Sequence, residues 1–78
     1  MSKKVTIYSR RGCHLCAQAM ATALELQSEF NYQIEEIFID GNDELIEAYG
    51  EQVPVIHIDD EPHDFFRIDE ERFRRALR

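Results

Sequence analysis

Apolar positions alternate at the start of the chain, then switch to helical spacing, and the switch divides the sequence into elements. Val5 and Ile7 alternate with Lys4 and Thr6, and the run Val5-Thr6-Ile7-Tyr8 is β-branched and aromatic, which predicts a strand over Lys3–Ser9. As a central strand it would be covered on both faces. From about His14 to Glu29 the period lengthens: Cys16, Ala19, Met20, Ala23 and Leu24 form one stripe among strong helix formers, with Gln18, Glu25 and Glu29 left to solvent. Asn31 suits a left-handed stop. Gln33–Ile39 reads as a second strand, followed by the turn cluster Asp40-Gly41-Asn42-Asp43. A short helix, Glu44–Tyr49, is capped by Asp43 or Asn42 and stopped by Gly50.

The last third repeats the alternation. Val53–Ile58 predicts a third strand, Asp59–Pro62 a turn, and His63–Arg67 a fourth strand returning antiparallel. Asp69 is suited to cap a closing helix, Glu70–Leu77, whose stripe is Phe73, Ala76 and Leu77; its acids come first and its arginines last, as the helix dipole favours. A strand-helix-strand opening gives a right-handed parallel unit, and the closing hairpin makes the sheet mixed. The expected architecture is α/β: one domain over residues 1–78, ordered βαβαββα, with a four-stranded mixed sheet flanked by three helices.

Composition narrows the class. At 78 residues, 44% hydrophobic and 32% charged, the chain resembles a small soluble domain. It contains no run near the about 18 apolar residues of a membrane span and no leader-like apolar stretch, so a cytoplasmic, non-membrane protein is expected. The net charge of −7 is unevenly spread. Residues 1–24 carry four bases and no acid, residues 25–66 thirteen acids and no base, and the remainder five bases and three acids. Phosphates would be repelled by the acidic middle, which argues against nucleic acid as a partner.

Candidate chemistry concentrates in Ser9-Arg10-Arg11-Gly12-Cys13-His14-Leu15-Cys16, which holds both cysteines at the junction of strand and helix. A helix start presents unpaired N–H groups and partial positive charge, so a sulfur at Cys13 is favoured as thiolate, with Arg10 and Arg11 adding to that preference. His14, between the cysteines, either assists in its cationic form or is simply exposed. Cys16 falls one turn on, on the same helix face, within reach of a reversible disulfide. In a reducing compartment such a pair is better suited to redox or metal chemistry than to a structural staple. Three readings follow: thiol-disulfide exchange, a metal or iron-sulfur carrier, and a non-catalytic binding module. For metal, only His14, His57 and His63 offer further soft ligands, without the spacing of a zinc site; His57, in an apolar strand, reads as a packing residue. Pro54 has two readings: it opens the third strand, or it follows a cis peptide that leaves the Val53 backbone free to pair with an added substrate strand.

With Cys13-His14-Leu15-Cys16 after the first strand and Gln52-Val53-Pro54 before the third, the chain resembles the glutaredoxin branch of the thioredoxin fold over essentially its whole length. The resemblance implies Cys13 as nucleophile, Cys16 as resolving thiol and a cis peptide before Pro54. It also implies Arg10, three residues before the nucleophile, and Val53 as substrate-binding groups; the residues themselves add Arg11 and Pro54 to that set, with His14 in support. The Gly-Gly and acidic pair that hold glutathione in that family are replaced by Phe65-Phe66-Arg67-Ile68-Asp69, of which only Asp69 matches. The expected protein is a monomer that binds no cofactor. It reduces protein or low-molecular-weight disulfides, with glutathione as a candidate co-substrate and either glutathione or a thioredoxin reductase as electron donor.

Overall fold

The computed structural model describes residues 3–78. Its elements are β1 (Lys3–Ser9), α1 (His14–Leu26), β2 (Tyr32–Phe38), α2 (Asp43–Tyr49), β3 (Val55–Ile58), β4 (Glu61–Phe65) and α3 (Glu70–Leu77). The sheet order is β2-β1-β3-β4, with β1 parallel to β2 and antiparallel to β3, and β3 antiparallel to β4. This is the thioredoxin-like fold, with the mixed four-stranded sheet and three helices read from the pattern.

β1 is buried on both faces because it lies inside the sheet. Val5 and Ile7 join Ala23 and Leu26 of α1, Ile56 and Ile58 of β3, and Phe73 and Leu77 of α3 in the main core. On the opposite face Tyr8 stacks on Tyr49 of α2, with ring centroids 4.7 Å apart, and meets the His57 edge at 5.1 Å. Burial holds the His57 imidazole below its ordinary pKa, the packing role expected of it.

Several boundaries differ from expectation. α1 ends at Leu26 rather than Glu29, and Asn31 does not adopt positive φ. Instead, the Gln27 side chain donates to the Tyr32 carbonyl at 2.9 Å and the Tyr32 hydroxyl donates to the Ala23 carbonyl, so the turn into β2 is fixed by side chains from outside the helix. Along α1 the buried residues are Cys16, Ala19, Ala23 and Leu26; Leu24, expected in the stripe, is 56% exposed. Small residues at 19 and 23 let the helix lie close to the sheet, which is what buries Cys16 one turn above them.

The closing hairpin is tighter than its sequence suggests. Asp59 and Asp60 alone form the turn, at φ 51 and 68, a left-handed pair that aspartate tolerates and that matches the strand twist. The Asp59 carboxylate accepts from the Lys4 amide at 2.9 Å, and Asp60 pairs with the Lys4 ammonium at 3.2 Å. β4 therefore begins at Glu61, two residues earlier than expected, and places Pro62 on the edge strand opposite an irregularity at Ile56–His57. The β3 ladder starts at Val55, leaving Val53 and Pro54 as its approach, with the Val53–Pro54 peptide cis. α2 begins one residue early, at Asp43, capped by Asn42.

Candidate functional site

Three chain segments meet where β1 gives way to α1. Gly12, at φ 74, turns the chain between them, and its backbone conformation rather than crowding explains the glycine. Cys13 follows as the N-cap of α1, in extended conformation, with its Sγ accepting a hydrogen bond from the Cys16 amide at 3.1 Å. A sulfur therefore takes the place that serine or aspartate fills at ordinary helix starts. Cys13 is partly exposed, whereas Cys16 is 2% exposed; both are free thiols.

The two sulfurs differ in character. Burial pushes the Cys16 thiol up to about 11, and its hydrogen-bonding contact with Cys13 adds to that rise. The Arg10 amide and the Ser9 hydroxyl act in the opposite direction, favouring its charged form. At neutral pH Cys16 is a protonated, sheltered thiol behind an accessible one.

The basic residues are placed by their own contacts. Arg10 sends its guanidinium to the Gly50 carbonyl at the end of α2, at 3.1 Å, joining the cysteine loop to that helix. The Arg11 amide donates to Asp40 at 3.1 Å, and its guanidinium lies 5.8 Å from the centre of the Phe38 ring, within the range of cation–π attraction. Together Arg10, Arg11, Cys13, His14, Glu36 and Phe38 line an open hollow of about 330 Å³ on one side of the thiol. A smaller hollow, about 210 Å³, lies between α1 and the approach to α3, bordered by Leu15, Ala19, Arg67 and Ile68.

Val53 packs with Cys16 and Ile39, in the same cluster that Cys13 and Tyr8 border. Among the described residues no group hydrogen-bonds to its backbone N–H or carbonyl. Its neighbour is held differently: the Phe66 amide donates to the Pro54 carbonyl at 2.8 Å and to the Gln52 carbonyl at 3.2 Å. Phe66 does this at φ 69, a conformation that favours glycine, while its ring packs on Phe65 with centroids 5.0 Å apart and stays 45% exposed. Asp69 caps α3, accepting from the Arg72 amide at 3.2 Å.

Cys13, Cys16, Arg10, Arg11, His14, Val53 and Pro54 thus gather around one helix start, while Asp69 stands at the start of another helix. Sequence reasoning passed over Ser9, which continues the buried row of Val5 and Ile7, so strand alternation alone could have pointed to it; Phe66 stood out in the sequence only as a bulky residue in the Gly-Gly stretch, and its positive φ is what the structure adds. Among the described residues no group of three or more His, Cys, Asp or Glu side chains is arranged to hold a metal ion.

A thioredoxin-like fold with a Cys-x-x-Cys pair at its first helix and the Val53-Pro54 loop beside it places the chain among thioredoxin-fold proteins. The Glutaredoxin-like domain (DUF836) family matches residues 4–78, and the chain belongs to that family. An uncharacterized protein of Mycobacterium tuberculosis, Rv0508, is 30% identical over 79 residues, covering 95% of this chain and 81% of the relative. The solution NMR structure of protein Ne2328 from Nitrosomonas europaea superposes with a TM-score of 0.89 at 31% identity, covering 100% of this chain and 94% of the other. The X-ray structure of protein XcR50 from X. campestris gives a TM-score of 0.73 at 32% identity, covering 94% and 93%. No helix among the described residues is long and apolar enough to cross a membrane.

Proposed function

We propose that the protein is a thiol-disulfide oxidoreductase that reduces disulfides through a mixed disulfide on Cys13. The observation that carries this reading is the unequal pair: an accessible N-cap sulfur receiving a backbone N–H, with a buried thiol one turn behind it. Cys13 thiolate attacks one sulfur of a substrate disulfide, and the other sulfur leaves as a thiolate that takes up a proton. Cys16 then attacks Cys13 Sγ, expelling the second substrate sulfur as a thiol and closing the Cys13–Cys16 disulfide. The substrate gains two electrons, which a thiol or dithiol donor restores to the protein.

The unpaired Val53 backbone supports docking of an extended substrate segment beside the sulfur. Arg10 and Arg11, along the hollow next to Cys13, outnumber its one carboxylate, Glu36, and favour substrates with an anionic group near the disulfide. Phe66 occupies the stretch where the family places glycine for close approach of glutathione, which favours a protein dithiol, such as thioredoxin reductase, as electron donor.

Turnover of a peptide disulfide coupled to NADPH, through either glutathione and its reductase or a thioredoxin reductase, tests the proposal. Turnover with at least one donor, lost in Cys13→Ser, is the expected result. No turnover with either donor would overturn it.

A further inference from the structure

Ser9 is the last residue of β1 and has no solvent exposure, yet among the described residues its hydroxyl has no hydrogen-bond partner of ordinary geometry. Buried hydroxyls without partners are uncommon because losing water without replacement is costly. Its position explains what it faces. Val5, Ile7 and Ser9 share one side of the strand, and the first two pack against α1. α1 runs back along β1, so its buried residues Leu26, Ala23, Ala19 and Cys16 ascend the same side toward the end of the strand. Ser9 and Cys16 are the uppermost members of the two rows. The Ser9 carbonyl also accepts from the Ile39 amide at 2.9 Å, and Ile39 packs on Cys16, which fixes the strand end against the helix start.

We propose that Ser9 is a positioning residue for the second half of the exchange: its hydroxyl, free of any other partner, donates to Cys16 Sγ as that sulfur gives up its proton to attack the mixed disulfide on Cys13. The inference rests on the exchange reading above. It answers a difficulty that burial creates, because a thiol with almost no contact with water must still become an anion. The direction in which the Ser9 hydroxyl and the Arg10 amide shift the Cys16 thiol agrees with this role. In the attack the Cys16–Cys13 bond forms and the Cys13–substrate bond breaks. The Cys16 proton is lost to solvent before the attack, the departing substrate thiolate takes one up, and the Ser9 proton stays on its own oxygen throughout.

Titrating Cys16 by thiolate absorbance in a Cys13→Ser background, with Ser, Ala or Thr at position 9, tests the assignment. Ser9→Ala is expected to raise the Cys16 pKa by about one unit and to slow resolution of a Cys13 mixed disulfide about tenfold, the effect of one hydrogen bond to a charged sulfur. Ser9→Thr, which keeps the hydroxyl, restores both. Folding stability of the reduced Ser9→Ala protein should be unchanged or raised, since the hydroxyl it removes serves no other contact. An unchanged Cys16 titration, or a loss of stability in Ser9→Ala, would overturn the proposal. The titration reads the contact whether or not the protein turns over; failure of Cys13 to form any mixed disulfide in Cys16→Ser would instead overturn the exchange reading.

Discussion

The Cys16 amide donates to Cys13 Sγ at 3.1 Å, so the residue whose thiol would resolve an intermediate also holds the first sulfur in place through its backbone. One residue thereby serves both halves of the proposed cycle. Its backbone N–H holds the Cys13 sulfur, while its side chain waits beneath as a neutral thiol. Replacing Cys16 by serine keeps the amide, which is why that variant separates the two roles.

Because burial holds the Cys16 thiol up at about 11, its ionised fraction near neutrality is small and grows about tenfold for each pH unit. The resolving step should therefore accelerate about tenfold per pH unit between pH 7 and 9. Stopped-flow decay of a preformed Cys13 mixed disulfide measures this directly; a rate independent of pH would contradict it.

Phe66 holds a left-handed backbone conformation that costs an L residue about 1–2 kcal/mol, and its ring is 45% exposed. Phe66→Gly should remove that cost without disturbing the amide bonds to Pro54 and Gln52. Reduced bulk should also raise turnover with glutathione relative to turnover with thioredoxin reductase. Measuring both donors side by side checks it, and an unchanged ratio would show that the ring is not what discriminates.

Asp69 caps a helix of eight residues whose buried anchors are Phe73 and Leu77. Asp69→Ala should cost about 1 kcal/mol in denaturant unfolding, and Asp69→Asn much less, since asparagine caps nearly as well. Phe73→Ala, which empties a site with no solvent exposure, should cost about 3–5 kcal/mol. Equal losses in the two Asp69 variants would assign the residue a charge-dependent role beyond capping.

His63 is held below its ordinary pKa, first by burial and then by the nearby Arg72, with Asp64 and Asp69 opposing, and its buried Nε2 has no hydrogen-bond partner among the described residues. A base depressed in the folded state binds a proton more readily when unfolded. Its contribution to stability is complete above the unfolded value near 6.5 and is lost as pH falls through the folded value. His63→Leu should leave stability at pH 7.5 unchanged or higher and flatten the decline toward pH 5, read by thermal unfolding at both pH values.

How much of this was legible depends on where the information lies along the chain. Strand alternation in Val5–Tyr8, the turn at Asp40–Asn42 and the Asp69 cap are local signals, and the structure follows them. α1 ended early because Tyr32 and Gln27 close it from outside the helix, a contact that no helical period encodes. The closing hairpin departs from its sequence reading because Pro62 looks like a turn residue, whereas an edge strand tolerates its missing N–H. At the site, the Cys-x-x-Cys spacing identified the pair, but the inequality of its members depends on Ala19 and Ala23 drawing α1 close to the sheet. The destinations of the Arg10 and Arg11 side chains, Gly50 and Phe38, are likewise tertiary facts.

The central claim is that Cys13, and not Cys16, captures substrate. Incubating Cys16→Ser and Cys13→Ser separately with an excess of peptide disulfide and weighing the products by intact-protein mass spectrometry tests it most directly. The account predicts rapid, near-stoichiometric addition of one peptide to Cys16→Ser and little to Cys13→Ser at pH 7. Comparable addition to both, or faster addition to the protein that retains only Cys16, would contradict it.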